Sequence, residues 1–598
     1  MAANKGREIP GLLFFQGRDL PSGLAVKRSG ARLDWASVSD TLPGMTRLTG
    51  RSAFLRLLIE EGVSHLFGNP GTTELPIMEV VPDYPQLQFV LGLHESVVVG
   101  MADGYARASN RLAAANVHVA PGLGNAMGAL YNAKFSGSPI ILTAGQQEQG
   151  HGLLEPLLYA PLVPVAQPFV KWAVEVTRAE DLPLVMHRAA KVALTPPTGP
   201  VFISLPGDVL EEEAELELGA STRVDARMRP SDTALAMLAR RLLAAKNPVI
   251  LAGHELGVHD AFAEAVALTE LLGAGVFHQT VPYAAQFPSE HPACLGALTR
   301  NQKAVRAALE PFDLLVCLGA DLLRMSVYSP VDPLPPGMPV IHVSEREWEL
   351  GKNQPTEIAI QANVKETLAA LLPLLRTQRS AGAASQAAQR LAALAPRNWS
   401  AQQGRARIAA LEAAEETPID PRFLMLRIAE ALPREAVVVE EALTSSLTLP
   451  ALVPQRDPKS YFGLASGGLG FALPGAVGAA LALPGRPIVA VVGDGAALYG
   501  IQALWTAAHL KLPITYVIAN NRSYRILKER LVSMRKSERF VGMDLRDPEI
   551  DFVSLARAMG VAARRVVDPK DVAPALREAM RDGGPQLVEV MIADGFGG

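Results

Sequence analysis

Residues 493–521 read GDGAALYGIQALWTAAHLKLPITYVIANN, and this stretch decides the fold of the chain. Its Gly-Asp-Gly start directly follows an apolar run at 488–492, and its Asn-Asn end directly follows a second apolar run at 514–519. Two short apolar runs on either side of an amphipathic segment are typical of buried strands joined by a helix. Strands joined in this way lie parallel in one sheet. We therefore expect an α/β fold in which Asp494 and Asn521 follow neighbouring strands.

Asp494 and Asn521 are candidate ligands of a divalent cation, because ligands of open parallel sheets bind at the carboxyl ends of the strands. Carboxylate and amide oxygens suit Mg²⁺, which proteins hold with few side chains and with phosphate oxygens of a ligand. Gly493 and Gly495 let phosphates approach the backbone, and the helix that follows offers its N-terminal amides. The alternative is an ordinary turn with Asp494 as the helix N-cap and an Asn-Asn loop. The combined spacing favours the cation and phosphate site.

The same alternation of apolar runs and amphipathic stretches extends over most of the chain. It forms three blocks, at residues 45–215, 230–375 and 419–598, whose lengths fit typical domains. Each block predicts a doubly wound parallel-sheet domain. Residues 376–418, rich in Ala, Gln and Arg, are predicted to be a linker with a solvated helix. Residues 1–44 show no sustained period and are predicted to be a flexible N-terminal extension.

The composition excludes several classes of function. Of the 598 residues, 49% are hydrophobic and 19% are charged, which is enough apolar material for large cores. The net charge is −4 and there is no long Lys/Arg run, so we expect no nucleic-acid partner. No apolar run is long enough to predict a membrane span. Two cysteines, Cys294 and Cys317, lie away from any His or Cys cluster, so we expect no zinc site and a cytoplasmic location.

The spacing of Gly-Asp-Gly and Asn-Asn resembles the cofactor motif of the thiamine-diphosphate-dependent enzyme superfamily, and the resemblance covers nearly the whole chain. It implies that residues 45–215 bind the pyrimidine of thiamine diphosphate and that residues 419–598 bind its diphosphate through Mg²⁺. The implied ligands of Mg²⁺ are Asp494, Asn521 and the backbone carbonyl of Ser523. Leu469, in a Gly-Gly-Leu-Gly sequence, would support the bent cofactor. Simple core packing is the alternative for this leucine.

The segment LHESVVVGMADGYA at 93–106 resembles the activating-glutamate segment of the same superfamily. The resemblance implies that Glu95 hydrogen-bonds the pyrimidine and promotes removal of the thiazolium C2 proton. An isolated glutamate at this place would be a first-turn acid favoured by the helix dipole, worth about 0.3–1 kcal/mol. In the superfamily this glutamate and the metal site come from different subunits. The resemblance therefore implies at least a homodimer, and a homotetramer as the expected assembly.

Three further stretches resemble benzoylformate decarboxylase and its relatives: GNPGTTELP at 68–76, HVAPGLGNAMGAL at 118–130 and AGQQ at 144–147. The catalytic residues that this resemblance implies are Thr72, His118, His291 and Glu95. Imidazoles titrate near neutrality and suit proton transfer, and a hydroxyl at Thr72 would bind the substrate carboxylate. A structural role is the alternative for each: His118 as a strand-end histidine, and His291 as part of a His-Pro turn.

We therefore expect a non-oxidative decarboxylase of a benzoylformate-like 2-oxo acid, which releases CO₂ and an aldehyde, with carboligation as a competing outcome. The alternative is an acetolactate-synthase-like carboligase, since NRSYRILK at 521–528 resembles that group. Arg525 and Lys528 in this segment are predicted to lie on a solvated helix face, and binding of an anionic substrate is the alternative. An acetolactate-synthase type also predicts a flavin in the middle block, which lacks a glycine-rich fingerprint.

Two hypotheses from other classes have less support. A nucleotide-dependent oxidoreductase needs a complete G-x-G-x-x-G after a strand, and no block contains one. An inactive scaffold that kept the fold has no need of Glu95, Asp494 and Asn521, and all three are present.

Overall fold

The structure, a computed structural model, describes residues 44–596 of the chain. The predicted N-terminal extension lies outside this part, apart from its last residue. Within residues 44–596, three six-stranded parallel sheets with flanking helices form three α/β domains, so the predicted fold class is confirmed. None of the helices in this range is both long and apolar enough to cross a membrane.

The first domain has a sheet of strand order β3-β2-β4-β5-β7-β6 and a small antiparallel pair, β1 and β8. Its strands are β1 (Thr46–Thr49), β2 (His65–Gly68), β3 (Gln88–Leu91), β4 (Ala113–Val117), β5 (Ile140–Gln146), β6 (Ala173–Glu175), β7 (Val201–Pro206) and β8 (Glu213–Leu216). Its helices are α1 (Gly50–Glu60), α2 (Leu75–Val80), α3 (Glu95–Ser109), α4 (Val119–Ser136), α5 (Leu162–Ala166), α6 (Leu182–Leu194) and α7 (Gly207–Glu211). Strands β4, β5 and β7 are buried on both faces, as central parallel strands are.

The middle domain has a sheet of strand order β11-β10-β9-β12-β13-β14. Its strands are β9 (Pro248–Ala252), β10 (Gly275–His278), β11 (Cys294–Ala297), β12 (Leu314–Leu318), β13 (Val340–Ser344) and β14 (Ile358–Gln361). Its helices are α8 (Asp232–Ala244), α9 (Glu255–Val258), α10 (Phe262–Leu272), α11 (Gln302–Leu309) and α12 (Val364–Gln378). The strand order reverses between β9 and β12, where ligands of doubly wound sheets bind.

Residues 376–418 differ from the predicted linker, because two packed helices occupy most of the segment. These are α13 (Ala383–Leu394) and α14 (Trp399–Glu412). Trp399 is buried, and its indole N–H donates to the carbonyl of Pro450 at 2.9 Å. Arg390 donates to the carbonyl of Leu272 in the middle domain. The polar composition hides this packing, because only a few apolar residues anchor each helix.

The third domain has a sheet of strand order β16-β15-β17-β18-β20-β19. Its strands are β15 (Val437–Glu441), β16 (Tyr461–Gly463), β17 (Ile488–Gly493), β18 (Ile514–Asn520), β19 (Ala562–Val566) and β20 (Gln586–Met591). Its helices are α15 (Pro421–Ala431), α16 (Leu449–Leu452), α17 (Ala472–Ala482), α18 (Asp494–Ala497), α19 (Ala503–His509), α20 (Arg525–Arg535), α21 (Phe552–Ala558) and α22 (Pro569–Arg581).

Helices α3 and α17 bring the first and third domains of the chain into direct contact. A Cβ at Gly104 would lie 2.3 Å from the carbonyl oxygen of Gly475, and a Cβ at Gly478 would lie 2.0 Å from that of Met101. Only glycine permits so close an approach of two backbones. This contact fixes α3, whose first residue is Glu95, against the domain that carries Asp494.

Candidate active site

Glu95 lies where β3 gives way to α3, and two side-chain amides hold its carboxylate. The residue is 8% exposed. Asn69 Nδ2 donates to Oε1 at 3.0 Å, and Asn125 Nδ2 donates to Oε2 at 3.0 Å. Asn69 follows β2 and Asn125 lies in α4, so three neighbouring elements converge on one carboxylate. The amides fix the orientation of Glu95 at the carboxyl end of the first sheet.

His118 follows β4 at the same edge of the sheet, and the buried carboxylate of Glu74 orients its ring. Glu74 Oε2 lies 2.8 Å from His118 Nδ1, and Glu74 is 0% exposed. The backbone N–H groups of Gly71 and Gly145 donate to Glu74 at 2.9 and 2.8 Å. Because the carboxylate accepts the Nδ1 proton, Nε2 is left for a substrate. The arrangement is that of a positioned proton-transfer histidine.

Thr72 begins a short 3₁₀ turn before α2 and is exposed. The hydroxyl that reaches His118 belongs instead to Thr73, whose Oγ1 lies 3.1 Å from Nδ1 and donates to Glu74 Oε1 at 2.9 Å. The structure therefore brings Thr73, His118 and Glu74 together, and it leaves Thr72 open to solvent beside them.

Val119, the residue after His118, has a φ of +41°. Positive φ is rare for a β-branched residue and costs backbone energy. Val119 is buried at the start of α4, so the surrounding packing enforces this conformation. Strained backbone of this kind concentrates at functional sites, which agrees with a role for the histidine next to it.

Asp494 and Asn521 meet at the carboxyl ends of β17 and β18 in the third domain. The backbone N–H of Ser523 donates to Asn521 Oδ1 at 2.9 Å and to Asp494 Oδ2 at 3.2 Å. One nitrogen thus joins the two side chains, which are 4% and 3% exposed. Burial raises the pKa of Asp494 to about 6, although backbone N–H groups of Gly495 and Ser523 oppose this. Two buried side-chain oxygens, one from a carboxylate and one from an amide, therefore face one place in the structure.

Glu441, at the end of β15, holds the loop that carries Leu469. Its carboxylate accepts hydrogen bonds from the backbone N–H groups of Gly470 and Ala472 at 2.6 and 2.7 Å. Burial raises the pKa of Glu441 to about 8, although these two N–H groups oppose the shift. Leu469 packs partly buried against the core shared by the first and third domains. A carboxyl group thus positions the predicted support of the cofactor.

The chain matches all three domain types of thiamine pyrophosphate enzymes. Residues 48–155 match the N-terminal TPP binding domain, residues 235–371 the central domain and residues 444–590 the C-terminal TPP binding domain. The benzoylformate decarboxylase of Pseudomonas aeruginosa is 35% identical over 546 residues, which are 91% of this chain and 98% of that protein. The chain belongs to the thiamine pyrophosphate enzyme family.

Two other relatives show the range of reactions in the family. The acetolactate synthase of Mycobacterium bovis is 28% identical and covers 90% of this chain, with 86% of its own length matched. The structure of the thiamine diphosphate-dependent 4-hydroxybenzoylformate decarboxylase of Rhodococcus jostii RHA1 has a TM-score of 0.80 at 34% identity and covers 91% of this chain and 99% of that chain. As a thiamine pyrophosphate enzyme, the chain resembles decarboxylases and carboligases alike.

Lys528 of this thiamine pyrophosphate enzyme is buried, so the predicted solvated helix face is wrong for this residue. Its Nζ lies 2.7 Å from Asp544 and 3.6 Å from Asp594, and the residue is 3% exposed. Arg525 pairs with Glu529 on the same helix at 2.8 Å. Both cations are neutralised by the chain itself. The sequence did not reveal this, because Asp544 and Asp594 lie far along the chain.

His291 lies in the middle domain, between β10 and β11, and its recorded contacts are local. Its ring packs edge-on against Phe287, and its Nε2 lies 3.6 Å from Glu270. The N–H of Ala293 donates to Nδ1 at 3.2 Å. Burial lowers the pKa of His291, although Glu270 opposes this. The structure does not bring His291 together with Glu95, His118 or Asp494 in the described part of one chain.

The charged groups at the reversal point of the middle sheet are paired with one another. Arg346 lies 2.9 Å from Glu255 and 2.5 Å from Asp321. Burial raises the pKa of both acids, but Arg346 and His254, together with further neighbours, outweigh it and hold each pKa at about 2. Ser344 Oγ also donates to Glu255 at 2.6 Å. Acids engaged in this way give no support to a flavin in the middle domain.

Four polar side chains of the site were not predicted from the sequence: Asn69, Glu74, Asn125 and Glu441. Three of them lie inside the stretches that resemble benzoylformate decarboxylase, so their positions were available as a signal. Their partners were not, because each hydrogen bond joins residues that are 26 or more positions apart.

Proposed function

We propose that the protein is a thiamine-diphosphate- and Mg²⁺-dependent decarboxylase of a 2-oxo acid. The reaction consumes R–CO–COO⁻ and a proton and gives CO₂ and the aldehyde R–CHO. The observation that carries this proposal is the Glu74–His118 pair at the same edge of the first sheet as Glu95, in a chain with both TPP binding domains. A positioned histidine supplies the proton that an aldehyde product requires.

The residues of the third domain fit a diphosphate-bound Mg²⁺. Asp494 and Asn521 supply one carboxylate and one amide oxygen, and the carbonyl of Ser523 is the third proposed ligand, a set that suits a hard cation. The raised pKa of the Asp494 carboxyl marks a buried acid that has no cationic partner among residues 44–596, and a bound cation would favour its ionised form. Gly493 and Gly495 flank the site, and a Cβ at Gly495 would lie 2.6 Å from the ring of Tyr524.

Thiamine diphosphate, when bound, supplies a carbon nucleophile for the 2-oxo carbon and accepts the electron pair of the broken C–C bond. The residues of the chain orient the cofactor and the substrate, and they supply the proton for the product. Glu95 holds a proton at the pyrimidine, and the amides of Asn69 and Asn125 keep its carboxylate in place. Leu469 would support the cofactor, on a loop that Glu441 fixes.

His118 delivers the proton to the product carbon through Nε2, because Glu74 holds Nδ1. The hydroxyl of Thr72, exposed next to this pair, binds the carboxylate of the incoming 2-oxo acid. His291 is the remaining proposed catalytic residue. In the proposed assembly it would reach the site from the middle domain, whereas His118 and Thr72 lie in the first domain.

The proposed functional unit is a homodimer at minimum, and a homotetramer by analogy with the family. The recorded hydrogen bonds to Glu95 come from the first domain and those to Asp494 from the third. A site shared between two chains would bring a Glu95 of one subunit to an Asp494 of the other.

Product analysis tests the proposal. Purified protein with thiamine diphosphate and Mg²⁺ is incubated with benzoylformate, pyruvate and phenylpyruvate, and CO₂ and organic products are identified. Free aldehyde with one equivalent of CO₂ supports the proposal. The absence of cofactor-dependent CO₂ release from every 2-oxo acid contradicts it.

Carboligation is the second candidate, because a relative of 28% identity is an acetolactate synthase. This outcome replaces the proton from His118 by a second carbonyl compound. A 2-hydroxyketone or an acetohydroxy acid as the main product, with little free aldehyde, would identify it.

A further inference from the structure

The loop at residues 465–470, which carries Leu469, is held at its start by Asn132 of the first domain. The Oδ1 atom of Asn132 accepts hydrogen bonds from the backbone N–H of Ala465 at 3.0 Å and from that of Ser466 at 3.2 Å. The hydroxyl of Ser466 also donates to this oxygen, at 3.2 Å. Three hydrogen bonds therefore join one side chain of helix α4 to a loop of the third domain.

The loop needs such an anchor because its own backbone is free to move. Gly467 and Gly470 have φ angles of +88° and +104°, which glycine adopts more readily than other residues. Glu441 of the third domain holds the end of the loop through the N–H of Gly470. Leu469 thus lies between two anchors, one from each domain, and the loss of either would let its side chain move.

The amide of Asn132 is fully used, because its nitrogen serves a buried acid. Its Nδ2 donates to Asp103 Oδ2 at 2.8 Å, and the two residues are 2% and 1% exposed. The hydroxyls of Ser136 and Ser138 donate to the other oxygen of Asp103. An aspartate at position 132 would lack the donor and a leucine would lack both donor and acceptor, so this place requires an amide.

Helix α4 also holds the proposed activating glutamate. Asn125 lies seven residues before Asn132, on the same face of α4, and donates to Glu95 at the start of α3. Asp103 lies about two turns later in α3. Helix α4 therefore contacts α3 through two amides, and the second amide also holds the Leu469 loop.

We propose that Asn132 is a positioning residue of the active site. It fixes Leu469, and Leu469 in turn supports the cofactor in the position in which the thiazolium C2 proton is removed. This inference rests on the proposed function and adds to it a residue that acts through Leu469. The expected effect is large, because a misplacement of reacting groups by about 1 Å can lower a rate about 10²-fold.

Amide hydrogen exchange of the full chain without cofactor tests the anchor itself. Asn132→Ala removes the three hydrogen bonds to the loop, so the amides of Ala465 and Ser466 should exchange at least about 10-fold faster. Mass spectrometry of peptides that cover residues 461–471 measures this rate. Equal exchange in wild type and Asn132→Ala would overturn the inference.

Asn363→Ala is the matched control. Asn363 is also a buried asparagine, and its partners belong to the middle domain: its Nδ2 donates to Glu345 at 2.8 Å, and its Oδ1 accepts from the N–H of Glu366 at 3.1 Å. This variant should lower Tm, as Asn132→Ala should, and leave the exchange of the loop amides unchanged.

The exchange of the C2 proton of bound thiamine diphosphate with D₂O tests the effect on the site, and it requires no substrate. At saturating cofactor and Mg²⁺, Asn132→Ala should slow this exchange about 10- to 100-fold, and Asn363→Ala should keep it within about 2-fold of wild type. An unchanged rate in Asn132→Ala, or equal losses in both variants, would overturn the inference and leave the proposed function standing. A wild-type protein that does not accelerate the exchange over that of free cofactor would overturn both.

A reversal of the two side chains separates positioning from lost packing. Asn132→Asp brings two carboxylates into contact and should slow C2 exchange. The double variant Asp103→Asn/Asn132→Asp restores a donor to the pair and keeps an acceptor for the loop, so its rate should return to within about 10-fold of wild type. A double variant no faster than Asn132→Asp would contradict the proposed role of the pair.

Discussion

The proposed proton transfer depends on the buried carboxylate of Glu74, which contacts His118. Glu74 accepts four hydrogen bonds, from Gly71, Gly145, Thr73 and His118, and these fix the ring of His118. The orientation and the tautomer of a histidine ring are both set by the hydrogen bond that its other nitrogen makes. In the proposed reaction, Glu74 is therefore a positioning residue and His118 the catalytic one.

Glu74→Gln should lower kcat for aldehyde formation about 10²-fold, the scale of general acid–base catalysis. KM should change little. The amide oxygen of glutamine can still accept the Nδ1 hydrogen bond, but without the carboxylate charge it stabilises a positive ring less and slows proton transfer. Steady-state kinetics between pH 5.5 and 8.5 measure both effects.

Glu61→Gln is the matched control for this variant. Glu61 is also a buried glutamate bonded to the Nδ1 of a histidine, His187, but the pair lies between α1 and α6, away from the candidate site. The control should lower Tm and leave kcat unchanged. Equal losses of kcat in both variants would assign Glu74 a purely structural role.

The carboxyl group of Glu441 should make stability depend on pH. Its pKa is about 8 in the folded protein, above the ordinary value of 4.5, so the unfolded chain ionises first as pH rises. Folding stability is then lost between about pH 4.5 and pH 8. Glu441→Gln should flatten the decline of Tm between pH 5 and pH 8.5, as measured by thermal unfolding. A parallel decline in wild type and variant would contradict the assignment.

Lys528 is the buried residue of helix α20, and its burial depends on a pairing with Asp544, which lies outside the helix. Asp544, which pairs with Lys528, lies opposite Ser523 in an isolated antiparallel bridge, and the N–H of Tyr524 donates to the carbonyl of Met543 at 2.8 Å. Lys528 thus binds Asp544, which lies next to the proposed metal loop at Ser523.

Lys528→Met should destabilise the protein by about 1 kcal/mol, because it leaves Asp544 without its cation, while Asp594 keeps Arg546 at 3.0 Å. It should also raise the Mg²⁺ concentration needed for cofactor retention, since the Ser523 loop loses its support. Thermal unfolding and a Mg²⁺ titration of thiamine diphosphate binding measure the two effects. Lys528→Arg is the control and should restore both; an unchanged Mg²⁺ requirement in Lys528→Met would separate Lys528 from the metal loop.

The elements themselves were largely predictable from local pattern. Apolar runs predict strands at 488–492 and 514–519, and the structure has Ile488–Gly493 and Ile514–Asn520. The helix expected between these strands is Ala503–His509, and α18 and a series of turns precede it. The packed helices at 383–412 were missed, since their contacts are made by single residues such as Trp399. Local pattern predicts periodicity, and it does not predict which polar helix finds a partner.

Sequence motifs predict individual residues of the site but not the partners of those residues. Glu95, His118, Asp494 and Asn521 could be named from sequence, and the structure places them at the carboxyl ends of two sheets. Their hydrogen-bond partners come from other elements, and the pairing of Lys528 depends on a residue 66 positions away. Such contacts are set by topology, which a motif does not contain.

In the proposed enzyme, the first and third domains act on one cofactor. The first domain holds Glu95 at its carboxyl edge and the third holds Asp494 at the corresponding edge. The proposed assembly joins these edges across a subunit boundary, because in the superfamily the glutamate and the metal site come from different subunits.

A hybrid enzyme tests this central claim most directly. Glu95→Gln and Asp494→Ala chains with different tags are co-expressed, and the dimer that carries both tags is purified and assayed for cofactor-dependent CO₂ release. Each parent should be inactive. If each site takes Glu95 from one chain and Asp494 from the other, the hybrid contains one intact site of two and should regain about half of wild-type activity. A hybrid as inactive as its parents would contradict the account.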